Sequence, residues 1–275
     1  HADYIRSLSV HDTLPYLLTA SDDQTVRLWD WSNTNNSNVK KGGGGGASWA
    51  NTQVFEGHMH YVMQAVFNPN ERGAMMATTT FATASLDTTI KVWNVTSAVA
   101  SFTLEGHEAG INCVEYSPHR DKPYLISGSD DRTVRIWDYQ TKACIQTLSH
   151  HSNNVVSVLM HPDVPLLFTG SEDETVGVIS TQTWRQERTA LNFGLYRCWA
   201  ICTSRGGSGP GSNHVACGFD GGVAVLKISC SGDAEPSLAS MDNNGKIISF
   251  GGDNNELILR MDVKNIFTDR EDSVQ

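Results

Sequence analysis

The chain has 275 residues, 39% of them hydrophobic, and a formal charge of −10 at pH 7. That length and apolar content can fill one large all-β domain, and the acidic balance argues against a nucleic-acid surface and for partners carrying positive charge. No apolar run nears the length of a membrane span, no charged-then-apolar signal segment is visible, and the six cysteines lack paired metal-ligand spacing, so reduced and mostly buried thiols are expected.

The chain opens on His1-Ala2-Asp3 with neither an initiator Met nor a Gly before the His, so it reads as a fragment starting at a junction between repeats. Asp3–Val10 is predicted as a first strand, Tyr16–Ser21 as a second and Val26–Trp31 as a third. Ser32–Ser48 is rich in Asn and Ser and carries five consecutive glycines, Gly42–Gly46. Such a stretch cannot bury enough surface to order itself, so a disordered hairpin insertion is expected there. Asn51–Glu56 resumes as an outer strand. The next unit, His60–Leu104, holds a smaller insertion near Glu71–Thr80. Gly110–Leu148 and Asn154–Leu191 are compact. Tyr196–Met241 is looser, with Gly206-Gly207-Ser208-Gly209-Pro210-Gly211 inside it. Beyond the turn Asp242–Gly245, Lys246–Phe250 and Glu256–Val263 read as two more strands, and Thr268–Gln275 as a frayed end.

These units are copies of one pattern. Tyr16–Asp30 is YLLTASDDQTVRLWD, Phe81–Asn94 FATASLDTTIKVWN, Tyr124–Asp138 YLISGSDDRTVRIWD and Leu166–Ser180 LLFTGSEDETVGVIS; a worn copy is His214–Ile228, HVACGFDGGVAVLKI. Each reads as strand, tight acidic turn, strand, with turn aspartates Asp23, Asp87, Asp131, Asp173 and Asp220. The period is roughly 42–47 residues with one longer gap, which with a Trp-Asp pair marks a propeller array. The fold class is therefore all-β: five consecutive four-stranded blades. Propellers close with typically 4–8 blades; these five could close on themselves, and the favoured expectation is that about two more precede them.

His, Ser or Thr, and Asp recur in every compact copy: His58/Thr83/Asp87/Trp93, His107/Ser127/Asp131/Trp137, His1/Thr19/Asp23/Trp29, and His151/Thr169/Asp173 with Ile179 in place of Trp. A nucleophile, base and orienting acid could be drawn from any of these sets. Four copies argue instead for a structural chain in which buried imidazole and indole groups find partners. No nucleophile elbow, zinc-ligand spacing or phosphate-binding loop occurs. No catalytic residue, cofactor or metal is expected.

Four stretches resemble the N-terminal WD-repeat propeller of the coatomer (COPI) β′ subunits: HADYIRSLSVH (His1–His11), VFEGHMHYVMQAVFNP (Val54–Pro69), Phe102–Leu148, and SLASMDNNGKII (Ser237–Ile248). The resemblance implies a seven-bladed first propeller of which residues 1–241 are the last five blades, with 242–275 opening a second, truncated propeller. It implies a vesicle-coat subunit that binds C-terminal di-lysine signals (KKxx or KxKxx) of cargo tails returning from Golgi to endoplasmic reticulum. Further implied are cytoplasmic localisation with peripheral association on Golgi and COPI membranes, and coatomer α and ε subunits as partners through regions outside this chain. The two insertions and Ile179 depart from the pattern.

Residues just after the blade His and just before the turn Asp should surround the channel mouth: Asp3, Asp22, Asp130 and Glu172, with Leu86 breaking the series. By resemblance, Asp3, Asp22 and Asp130 match the acidic residues that hold the ligand lysines, and Arg6 lies among basic residues near the peptide terminus; Glu172 is a further contact by position alone. Trp199 fits core packing better than a surface role, and His11, His119, His150 and His161 fit turn patterns. Two other readings stand beside this one, a non-catalytic scaffold of another complex and a propeller enzyme, the second lacking any unrepeated polar cluster.

Overall fold

The structure, a computed structural model, describes residues 1–32, 49–71, 76–185, 191–203, 214–230, 246–250 and 257–268. The glycine run of the first insertion, the 206–211 stretch and residues 269–275 lie outside the described residues. No α-helix occurs among the described residues.

Alternating apolar strands broken by acidic turns give five antiparallel sheets. The first contains β1 (Ile5–Val10), β2 (Tyr16–Ser21), β3 (Val26–Asp30) and β4 (Ala50–Phe55). The second contains β5 (Val62–Phe67), β6 (Thr80–Ser85), β7 (Ile90–Asn94) and β8 (Phe102–Leu104). The third is β9 (Ile111–Tyr116), β10 (Tyr124–Ser129), β11 (Val134–Asp138) and β12 (Ala143–Leu148). The fourth is β13 (Val155–Met160), β14 (Leu166–Ser171), β15 (Thr175–Ser180) and the short β16 (Leu191–Asn192). In each of these the strands stand in chain order, so every connection is a hairpin. Two short 3-10 turns, Pro69–Glu71 and Met76–Thr78, flank residues 72–75 of the second insertion.

The fifth sheet has five strands. It contains β17 (Cys198–Thr203), β18 (His214–Phe219), β19 (Gly222–Cys230), β20 (Lys246–Phe250) and β21 (Leu257–Thr268), in the order β17-β18-β19-β21-β20. β21 pairs with β19 from Gly222↔Thr268 to Cys230↔Leu259. The backbone groups of the β19 edge are satisfied by this strand, and β20 pairs onto its far side.

The chain divides into two compact units, His1–Asp131 with Arg135–Thr147, and Arg132–Val134 with Leu148–Gln275. In the first unit Leu18, Val26, Leu28 and Phe55 of the first sheet pack with Val62, Phe67, Phe81 and Trp93 of the second. Phe81 sits edge-on to Phe55 at 4.7 Å and stacks on Trp93 at 6.2 Å. In the second unit Phe168, Val176 and Val178 pack with Cys198, Val215 and Cys217. Both faces of the inner strands are thus apolar, the pattern of sheets stacked face to face.

One face lacks this cover. Leu8 of β1 is 65% exposed, whereas Ala65, its counterpart on β5, is 1% exposed. Ile5 and Val10 are likewise exposed where Val62 and Phe67 are buried.

Candidate functional site

The recurring His-Ser/Thr-Asp sets fold as the spacing implied. His58 reaches Asp87 at 2.7 Å through Nδ1 and Thr83 at 2.7 Å through Nε2, and the Trp93 indole donates to the same Thr83 hydroxyl at 2.9 Å. His107, Asp131, Ser127 and Trp137 repeat this at 2.6, 2.7 and 2.8 Å. His1, Asp23, Thr19 and Trp29 do so at 2.8, 2.6 and 2.9 Å.

The turn carboxylate has more partners than the sequence suggested. Asp87 Oδ2 also takes the Met59 N–H, and Oδ1 takes the N–H and hydroxyl of Thr89. Thr25 and Thr175 serve Asp23 and Asp173 in the same way. Burial alone would raise these carboxyl pKa values; the donors outweigh it and hold all three below the usual range. Burial pushes the His107 imidazole down. With every polar atom of the set paired inside the sheet, Ser127 and Thr83 have the surroundings of structural hydroxyls.

Glycine before the His is needed for this packing. Gly57 and Gly106 both have φ +148, and a Cβ at residue 106 would lie 3.2 Å from the Trp137 ring. The fourth blade solves the same problem differently. His150 replaces the glycine, Ile179 the Trp, and His150 Nε2 bonds the Thr169 hydroxyl at 2.9 Å. Gly177, where the other blades carry Arg27, Lys91 and Arg135, leaves room: a Cβ there would come within 2.5 Å of His150 Nε2.

A second recurring feature lies at the start of each sheet. The first strand of every blade carries a one-residue bulge, and the extra residue is Arg6, Met63, Asn112, Val156 or Trp199. A bulge leaves one residue unpaired and re-aims its side chain. Its partner is the residue before the hairpin turn, whose N–H bonds back to the carbonyl before the strand: Asp22 to Tyr4, Leu86 to Tyr61, Asp130 to Gly110, Glu172 to Asn154 and Asp220 to Arg197. In three blades the bulge side chain bonds this residue and makes a two-residue station: Arg6/Asp22, Asn112/Asp130 and Trp199/Asp220.

This register corrects one assignment. The repeat pattern puts Asp220 at the turn position of Asp23; the pairing of Cys198 with Phe219, matching Ile5 with Ser21, puts it at the Asp22 position, with Gly221 at the turn. Gly221 N bonds Leu195 O instead.

The stations differ in charge. Arg6 donates to both oxygens of Asp22, at 2.7 and 2.5 Å, and this pairing raises its pKa. The Asp22 side chain is 3% exposed and that of Arg6 41%. Asp3 lies close enough to add to the field on Arg6, and the Tyr4 and Tyr61 rings are each 6.0 Å from its guanidinium. Asp3, Arg6 and Asp22 thus come together. Asp130 has separate surroundings: Asn112 donates to it at 2.7 Å, and Leu86 lies against Gly110 beside it. Glu172, in the second unit, takes a long bond from Asn154 at 3.4 Å. Trp199 is not a core residue: it is 46% exposed and its indole N–H donates to Asp220 at 2.5 Å.

Burial pushes the Cys113 and Cys198 thiols up to about 12 and Cys217 higher still, which makes them inert. Cys144 and Cys202 are exposed, so the thiols are less uniformly buried than expected. Among the described residues no group of His, Cys, Asp and Glu could hold a metal ion. No described helix is long and apolar enough to cross a membrane.

Comparison with known proteins agrees with this architecture. The family described as WD domain, G-beta repeat matches residues 1–30, 49–94, 99–138 and 142–180. Coatomer subunit beta'-1 of Arabidopsis thaliana is 48% identical over 220 residues, 80% of this chain and 21% of that protein. Coatomer subunit beta' of Homo sapiens is 49% identical over the same shares, and the probable coatomer subunit beta' of Caenorhabditis elegans 46% over 90% of this chain and 21% of that protein. The chain spans about a fifth of the length of these relatives.

Proposed function

From the premise that the chain belongs to the WD-repeat family, we propose that it is part of a COPI coat subunit, acts without catalysis, and binds C-terminal di-lysine signals of cargo tails for Golgi-to-endoplasmic-reticulum transport. The similarity to coatomer β′ subunits supports coat membership. On this reading the chain works in the cytoplasm, at Golgi and COPI vesicle membranes, alongside other coat subunits. The exposed apolar face of β1 supports a further blade packing there, as β5 packs in the next sheet.

The observation that carries the lysine role is Asp130, a half-buried carboxylate held by the neutral Asn112 amide. An amide orients the carboxylate and leaves its charge, so a lysine ammonium gains a charge-assisted bond worth about 1.5–3 kcal/mol. Asp3 offers a second, exposed carboxylate. A few such bonds, less the cost of ordering a flexible tail, give about micromolar affinity at best, enough for a coat that gathers cargo through many contacts.

The Arg6–Asp22 pair favours a second reading, a scaffold of another complex, because it closes a carboxylate the lysine site would use. Calorimetric titration decides between them. The full-length protein is titrated with a peptide ending Lys-Lys-X-X, as free acid and as amide. Micromolar binding of the acid alone, lost in Asp130→Asn, supports the cargo receptor. No binding by folded protein leaves the scaffold.

A further inference from the structure

We propose that Trp199 and Asp220 form a binding subsite for a basic peptide side chain on the fifth blade. The inference rests on the station geometry and holds whether or not the di-lysine reading does.

The backbone builds the subsite. The bulge at Cys198/Ala200 aims Trp199 away from the strand pairing, and Asp220 N bonds Arg197 O, which brings the carboxylate to the same end of the sheet. The segment before β17 turns tightly: Gly194 has φ +70 and Tyr196 φ +67. Leu195 between them is buried in the core of the fourth and fifth sheets, and its carbonyl accepts the Gly221 N–H. That anchor holds Tyr196, a bulky residue in the left-handed region, at a conformation it seldom adopts. The result is two large aromatics left in water, Tyr196 at 53% and Trp199 at 46% exposure.

The chemistry is that of a cation site. The Trp199 indole donates to Asp220 Oδ1 at 2.5 Å. This donor is neutral, so Asp220 is oriented and keeps its charge, unlike Asp22 under the Arg6 guanidinium. A carboxylate beside an exposed indole face attracts an ammonium or guanidinium twice, through charge and through the ring quadrupole. The aliphatic stem of such a side chain can lie along the ring. An anionic or apolar partner fits worse, since it would meet the carboxylate. Arg197, also exposed, accepts the Asp220 N–H at its carbonyl and so adds a positive charge to this end of the sheet, which favours a single lysine or arginine over a densely charged partner.

The chain, labelled with 5-fluorotryptophan, tests this by fluorine NMR. It has seven tryptophans, and the Trp199 resonance is the one absent from Trp199→Phe. Acetyl-Gly-Lys-Gly-amide is titrated at fixed ionic strength, with acetyl-Gly-Gln-Gly-amide as the neutral control. The amide end removes any contribution from a carboxylate clamp. We expect a saturable shift of the Trp199 line in the millimolar range with the lysine peptide, at least tenfold weaker with the glutamine peptide. Asp220→Asn keeps an acceptor for the indole and should abolish the lysine preference with the other six lines unmoved. Asp130→Asn should leave the Trp199 response intact. Equal shifts with both peptides, no saturation, or an undiminished response in Asp220→Asn would overturn the proposal.

Discussion

His150 bonds the Thr169 hydroxyl at 2.9 Å, in the role that Trp93 and Trp137 fill toward Thr83 and Ser127. His151 bonds Asp173 through Nδ1 at 2.9 Å and the same Thr169 hydroxyl through Nε2 at 2.8 Å. Thr169 is thus shared by two imidazoles, one on each side of its hydroxyl. An imidazole entering from the glycine position has replaced an indole entering from β15.

Three residues therefore depend on one another in the fourth blade. Gly177→Ala places a methyl against His150 and Thr169, and His150→Gly leaves the Thr169 hydroxyl one partner short. Each should cost about 1–3 kcal/mol in chemical denaturation. Ile179→Trp alone should also destabilise, because a Trp there meets residue 150 as Trp137 meets Gly106. His150→Gly with Ile179→Trp should cost clearly less than the sum of the two. Additive costs would mean that the three positions do not act as a unit.

Ser127 gives a simpler test. It accepts from the buried Trp137 indole and bonds His107, and threonine fills its place in the other three complete or near-complete sets. Ser127→Thr should be tolerated, with melting temperature near that of the parent. Ser127→Ala strands two buried groups and should cost about 1–3 kcal/mol for each. Scanning calorimetry of the two variants separates these outcomes.

The aspartates and histidines predict two stages of acid destabilisation. His11, His107 and His150 have folded pKa values lowered by burial, His150 to about 4. The folded state then binds fewer protons than the unfolded chain, whose histidines titrate near ~6.5. Their stabilisation is complete above that value and is lost as pH falls toward the folded values. Asp23, Asp87 and Asp173 are lowered too, so their contribution holds above about pH 4 and is lost below it. Melting temperature should fall gently from about pH 6.5 and steeply under pH 4. His150→Gln should flatten the first stage.

What could be read from sequence follows from what leaves a fixed spacing. The His, Ser/Thr, Asp and Trp of each blade are held at constant offsets by hairpins of one length, so the sets His58/Thr83/Asp87/Trp93 and His107/Ser127/Asp131/Trp137 were visible. The turn threonines Thr25, Thr89 and Thr175 stood in the same repeats, two residues after each Asp, and could have been found by asking what fills the second carboxylate oxygen. His150 was harder, because its equivalence to an indole depends on Gly177, a neighbour across the sheet. The bulge residues left no compositional trace: Arg6, Met63, Asn112, Val156 and Trp199 share only a register slip. For the same reason Asp220 was placed one position off, since Asp-Gly-Gly lacks the Asp-x-Thr that marks the true turn, and Trp199 was assigned to the core.

The stations also rank the carboxylates proposed to bind lysine, which gives the sharpest check on the proposed function. Asp22 is already neutralised by two bonds from Arg6 within 2.7 Å, so an incoming ammonium must displace a guanidinium to use it. Asp130 takes its bond from the neutral Asn112 amide. In titrations of a Lys-Lys-X-X acid, Asp130→Asn should weaken binding at least tenfold, and Asp22→Asn by less. Arg6→Met should free the Asp22 carboxylate, strengthening contact with the lysines while removing a cation from the tail's acidic end. Each surviving contact is a charge pair at a partly solvated surface, and the Debye length shrinks from about 10 Å at 0.1 M salt to about 3 Å at 1 M. Affinity should therefore drop steeply across that range in the parent and less in Asp130→Asn. An affinity indifferent to salt would exclude carboxylate recognition of the lysines, whatever the peptide's fate in the variants.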